Sequence, residues 1–167
     1  MDALISLPTR PGDPTLERDA EALYEAVSEL VRVYQSLDRD RICCHDISVT
    51  QCYALEALAG RGGLTLNELA AHLYLDKSTA SRVVDALERK GYVERSPHPR
   101  DGRAVLLVAT EAGKALYRTI RVDLLAEEKA LLAGFDPEIR QAMTQLVARL
   151  ARAVAARVES GSCCRIG

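Results

Sequence analysis

Tryptophan is absent from this chain of 167 residues, phenylalanine occurs once, and aromatic residues make up only 4%. The 48% hydrophobic content is therefore left mainly to Ala, Leu and Val, which suits packed helices. No apolar run approaches the roughly 20 residues that a membrane-spanning helix needs, so no membrane partner is expected. The N-terminus lacks a basic-then-apolar signal pattern, which points to a cytoplasmic protein. Three histidines, His45, His72 and His98, are scattered along the chain. There is no Ser/His/Asp arrangement, glycine-rich phosphate loop or zinc-hydrolase motif, so catalysis is not expected. Internal repeats and low-complexity tracts are also missing. Cysteines number five, an odd count that fits no secreted disulfide framework. The formal net charge is -2, which by itself argues against a nucleic-acid partner.

What is present begins with a loose arm carrying Pro8, Pro11, Gly12 and Pro14. From about Thr15 to Asp38, Leu16, Leu23, Val27, Leu30, Val31, Tyr34 and Leu37 recur at steps of three and four, which predicts a helix. "RDRICCHDI" interrupts it. Ser48 with Gln51, and Thr65 with Glu68, each form a capping-box pattern. They open one helix to about Ala59 and another to about Tyr74. Asp76 is placed to cap a helix from Lys77 to Lys90, which Gly91 stops. Then the period changes. "YVERS" and "RAVLLVA" flank the turn "PHPRDG" and predict a hairpin. Thr110 opens a long helix to about Ala133. Asp136 as cap, with Pro137 at the first helical position, opens another to about Val158.

Two short helices joined by a tight turn form a helix-turn-helix, whose second helix is the recognition candidate. On that helix Ala80, Val83, Val84 and Leu87 make an apolar stripe. Ser78, Arg82, Asp85 and Arg89 lie opposite, with Lys77, Thr79 and Ser81 at the N-terminal end. Small hydroxyls permit close approach, and a helix N-terminus favours phosphate. An ordinary amphipathic helix with a solvated face has the same pattern. The hairpin directly after it favours a winged helix. Charge agrees locally: Asp76 to Arg103 carries +2, against -4 for the rest. A winged helix that docks proteins instead of DNA is the competing class, and salt-dependent DNA binding separates the two.

The stretch "LTLNELAAHLYLDKSTASRVVDALERKGYVERSPHPRDGRAVLLVATEAGKAL" resembles the DNA-binding core of the MarR family of bacterial transcriptional regulators. Its specific part is Asp101-x-Arg103, followed by alternating aliphatics and a helix-opening Thr. The resemblance implies a mainly α fold: a winged helix-turn-helix lobe with a small β-hairpin wing, plus long helices that form a dimerisation domain. It implies a homodimer on a pseudo-palindromic double-stranded DNA operator. Carried over residue by residue, Lys77, Ser78, Thr79, Ser81 and Arg82 address the major groove and adjacent phosphates. Arg103 carries over as the wing-tip contact in the minor groove, with Asp101 as the carboxylate that orients it. Asp101 also serves as a simple turn former. The implied division is a flexible arm over 1–14, a dimerisation helix and sensor loop over 15–47, the winged domain over 48–109, dimerisation helices over 110–159, and a Cys-containing tail over 160–167.

The signal is sought in two adjacent cysteine pairs, Cys43-Cys44 and Cys163-Cys164. Clustered thiolates favour soft ions: arsenite, antimonite, Zn, Cd, Hg or Cu(I). Trivalent arsenic takes three sulfurs, so Cys43 or Cys44 with Cys163 and Cys164, from one chain or two, completes a set. His45 is a further, harder ligand that shifts the choice toward zinc, and the nearby Arg41 favours the thiolate. A thiol-oxidation sensor and a repressor that answers an organic ligand are the alternatives. Cys52 falls on the apolar side of its helix with Leu55 and Ala59 and is expected in the core.

Overall fold

A computed structural model describes residues 13–97 and 104–160, with the side chain of Cys43 also outside the described set. Six helices and one hairpin follow in chain order: α1 (Leu16–Ile42), a single 3₁₀ turn (Cys43–His45), α2 (Val49–Arg61), α3 (Leu66–His72), α4 (Lys77–Arg89), β1 (Val93–Pro97), β2 (Val105–Ala109), α5 (Glu111–Leu132) and α6 (Pro137–Glu159). The mainly α winged architecture expected from the sequence is the one observed. Among the described residues no helix is long and apolar enough to cross a membrane.

Local chemistry sets most boundaries. Gln51 N–H donates to Ser48 Oγ at 3.2 Å, and Ser48 N–H donates to Gln51 Oε1 at 3.2 Å. Glu68 N–H donates to Thr65 Oγ1 at 3.3 Å, while Thr65 N–H donates to Glu68 Oε2 at 2.7 Å. Both capping boxes thus satisfy two orphan donors reciprocally, and each contributes on the order of 1 kcal/mol. Gly91 ends α4 at φ +75°, a left-handed conformation that only glycine adopts freely. Asp136 has extended N-cap geometry but makes no side-chain cap hydrogen bond, so Pro137 and the backbone alone open α6.

One boundary differs from the sequence reading. The "RDRICCHDI" stretch does not break α1 after Asp38; the helix runs on to Ile42 and passes into the 3₁₀ turn. Ile42 is fully buried, and continuing the helix delivers it to the core. Asp46 then adopts φ +57° and turns the chain so that Ile47 is also buried.

The chain divides into two compact units, Met1–Tyr117 and Arg118–Gly167. In the first, Leu55, Leu58, Leu69, Val84, Leu87 and Leu107 are all buried to within 2% of full coverage, drawn from α2, α3, α4 and β2. Each such aliphatic contributes about 1.5–3 kcal/mol of burial. The hairpin is antiparallel, with Val93 opposite Ala109 and Arg95 opposite Leu107. Its inner strand also bridges to the segment before α3: Leu64 N–H donates to the Leu107 carbonyl at 3.1 Å, and Leu107 N–H returns to Leu64 at 2.8 Å. The base of the wing is tied to α5 by Thr110. Its hydroxyl donates to the Gly91 carbonyl at 2.7 Å and accepts from Gly113 N–H at 3.1 Å. A Cβ on Gly113 would overlap the Tyr92 carbonyl oxygen, so this approach requires glycine.

The second unit holds the rest of α5 and all of α6. Arg140 Nε donates to the Phe135 carbonyl at 2.6 Å across the turn between them. No residue of α6 is buried.

Candidate nucleic-acid interface

The helix-turn-helix is α3, a short turn and α4. Tyr74 sits in that turn at φ +54° and is 61% exposed, an uncommon conformation for a bulky residue. Leu75 N–H donates to the Ala70 carbonyl at 2.9 Å and closes α3. The inner stripe of α4 is as the periodicity requires: Ala80, Val84 and Leu87 are fully buried and Val83 is half-buried.

The outer face carries the polar residues. Lys77, Ser78 and Arg82 are exposed, and Thr79 and Ser81 are half-buried. Asp76 caps the helix. Its Oδ1 accepts from Thr79 N–H at 2.8 Å and from the Ser78 hydroxyl at 2.6 Å, and its Oδ2 accepts from the Thr79 hydroxyl at 2.7 Å. Those donors, the Ser78 and Thr79 hydroxyls first, hold the Asp76 carboxyl well below the usual carboxylate range. Arg82 Nη2 donates to Thr79 Oγ1 at 3.3 Å, so the guanidinium is steered across the helix N-terminus.

Two cations of the basic segment are committed elsewhere. Arg95, on β1, donates to Asp85 at 2.7 Å and to Glu88 at 3.1 Å. This clamp fixes the wing strand against α4 and offsets one of the two negative charges of Asp85 and Glu88. Lys90 pairs with the Asp46 carboxylate at 3.3 Å and also donates to the Asp46 carbonyl. It thereby joins the end of α4 to the segment after Cys44. Lys77 and Arg89 make no ion pair among the described residues, so with Arg82 they supply positive charge outward.

Neither clamp was legible in sequence, because each joins residues on separate elements, 7 and 10 residues apart for Arg95 and 44 for Lys90. The spacing of Asp85 and Glu88, one turn apart on one face, is the only hint that a cation docks there. Gly113 was also missed; a glycine inside a strongly helical stretch was its signal.

Asp101, Arg103 and His98 lie outside the described residues, as do Cys163 and Cys164 at the other end of the chain. Cys44 is exposed, and its Sγ contacts the Asp40 carbonyl at 3.6 Å. His45 is half-buried in the same turn. Cys52 is only 3% exposed, in the core as expected. Burial, with smaller contributions from the Glu56 and Asp38 carboxylates, pushes its thiol up to about 11. Among the described residues no three His, Cys, Asp or Glu side chains form a metal-holding group. A cavity of about 540 Å³ adjoins the cysteine turn, lined by Arg39, Asp40, Ile47, Ser48, Val49 and Thr50.

A helix-turn-helix followed at once by an antiparallel hairpin defines a winged helix-turn-helix protein. Known proteins place it further. A family model described as MarR family matches residues 45–104. The uncharacterized HTH-type transcriptional regulator Mb0904 of Mycobacterium bovis is 32% identical over 138 residues, covering 81% of this chain and 96% of that protein. The crystal structure of the MarR family transcription regulator SP03579 superposes with a TM-score of 0.74 at 25% identity, over 87% of this chain and 98% of the other. A MarR family protein from Bacillus stearothermophilus gives a TM-score of 0.75 at 25% identity, over 83% and 96%. This chain belongs to the MarR family of transcriptional regulators: it is a DNA-binding regulator and not an enzyme.

Proposed function

We propose that the chain is a homodimeric repressor whose two winged lobes straddle a pseudo-palindromic operator, with its DNA affinity set by a soft metal or metalloid bound to thiols. The observation that carries the DNA half is the outer face of α4. It presents Lys77, Ser78, Thr79, Ser81 and Arg82 together, while Arg95 engages the Asp85 and Glu88 carboxylates and offsets one of their two charges. These side chains address the major groove, and Arg103, oriented by Asp101, addresses the minor groove.

The exposed stripe of α6 supports the dimer. Ile139, Met143, Leu146, Val147, Val154 and Val158 recur at helical spacing and all stay exposed in the single chain. A second copy of the chain supplies the cover.

Cys44 supports the sensor. Its exposed thiol lies two residues before Asp46, which holds Lys90 at the end of α4. A ligand drawn onto Cys43 and Cys44, with Cys163 and Cys164 as further sulfurs and His45 as a harder ligand, pulls on that connection. Arsenite, antimonite, Zn, Cd, Hg and Cu(I) are the fitting ions. The test is thiol titration of anaerobically purified protein with and without arsenite or Cd, alongside DNA binding. Protection of two or more thiols together with altered DNA affinity supports the reading. No protection by any soft ion overturns it. DNA release by peroxide, reversed by dithiol, replaces it with a redox sensor. A second reading, an organic effector, rests on the open cleft beside the same turn, lined by Arg39, Asp40, Ile47, Ser48, Val49 and Thr50.

A further inference from the structure

The hydrogen bonds around Asp76 have a direction, and that direction limits what α4 can recognise. An ionised carboxylate only accepts, so the contacts at 2.6 Å from Ser78 and 2.7 Å from Thr79 use the single proton of each hydroxyl. Arg82 adds a donor onto Thr79 Oγ1. What remains outward on Ser78 Oγ, and on the last lone pair of Thr79 Oγ1, is acceptor character. A phosphate oxygen has no proton to offer and is repelled by Asp76. In the major groove the complementary donors are the exocyclic amino groups, N6 of adenine and N4 of cytosine. Ser78 is exposed and Thr79 half-buried, so Ser78 is the better placed of the two.

We propose that Asp76 sets the recognition polarity of α4, turning Ser78 and Thr79 into acceptors for an adenine or cytosine amino group and away from phosphate. Asp76 is a positioning residue that acts through its two neighbours. The inference rests on the reading of α4 as the DNA-facing helix.

The test uses the full chain and duplexes selected by it from a random double-stranded library. Each adenine is replaced singly by 2-aminopurine, which moves the amino group to the minor groove. Each cytosine is replaced singly by 2-pyrimidinone, which lacks it. At one or two positions the replacement weakens wild-type binding about five- to tenfold, the effect of one lost hydrogen bond. At those positions Ser78→Ala is insensitive to the replacement. Asp76→Ala, which removes the acceptor from both hydroxyls and frees their protons, shifts the selected base there from adenine or cytosine toward guanine or thymine. A merely structural cap lowers affinity evenly without moving base preference, and that result overturns the proposal. So does a Ser78-dependent response to methylphosphonate linkages without one to amino deletion. Failure to bind any duplex overturns the DNA-facing reading itself, and this inference with it.

Discussion

The winged lobe and the α5–α6 segment treat the same aliphatic residues in opposite ways. In the lobe, Leu55, Leu58, Leu69, Leu87 and Leu107 are covered by their own chain. Beyond Tyr117, Ile120 is the only buried apolar side chain among the described residues, while Leu125, Leu131, Leu146 and Val147 are each more than half exposed. The start of the chain resembles the end: along α1 only Ile42 is buried. Identical side chains thus do two jobs. Short helices pack within one chain and hold α4 and the hairpin in place. Long helices leave their stripes uncovered, as helices that dock on another copy do.

The contrast is most strongly tested by shortening one leucine of each kind. Leu87→Ala removes a fully buried side chain and lowers the unfolding free energy by about 3 kcal/mol in urea titration. Leu146→Ala, at a position 63% exposed, changes unfolding by less than about 0.5 kcal/mol at a concentration where the chain is monomeric. Equal losses would erase the distinction. Next in size is Leu146→Asp, which places charge on the stripe of α6. If the proposed dimer forms, sedimentation should show dimers for the wild type and monomers for the variant, and DNA affinity should fall on the order of 100-fold as the two lobes cease to bind together.

Arg95→Ala is a smaller break, confined to the lobe. It frees Asp85 and Glu88 on α4, the proposed recognition helix, and unfastens β1 from it. DNA affinity should fall about tenfold at matched salt. Stability should change by less than about 1 kcal/mol, as for exposed ion pairs. The reverse pattern, a large stability loss with DNA binding intact, would move Arg95 from the interface to the fold.

The smallest effect concerns the two cysteines the structure describes fully. At pH 8 thiol reagents should modify Cys44 well before Cys52. The Cys52 thiol is raised to about 11 in the folded state, above its unfolded value near 9. Its contribution to stability is therefore complete below about pH 9 and is lost as pH rises toward 11. The urea midpoint should fall across that window, and Cys52→Ala should flatten that part of the profile.

Legibility followed distance along the chain. Ser48 with Gln51, Thr65 with Glu68, and Asp76 with Thr79 act within four residues, so the helix starts could be read directly. The apolar stripe of α4 could be read for the same reason, since its period is local. Arg95 with Asp85 and Glu88, Lys90 with Asp46, and the Leu64–Leu107 bridge join separate elements and leave no local pattern. The overrun of α1 to Ile42 was hidden because only the core explains it. Hydroxyl polarity at Ser78 and Thr79 was hidden because composition names the groups and only geometry gives their direction.

The most direct test of the account is fluorescence anisotropy of the full chain on a selected, labelled duplex across a salt series, with Lys77→Ala/Arg82→Ala in parallel. Wild-type binding should be salt-dependent, and the double variant, which removes two cations from each of the two lobes on the operator, should bind more weakly with a salt slope smaller by about 4 and unchanged helicity. Wild-type binding that ignores salt, or a double variant with unaltered affinity and slope, would contradict it.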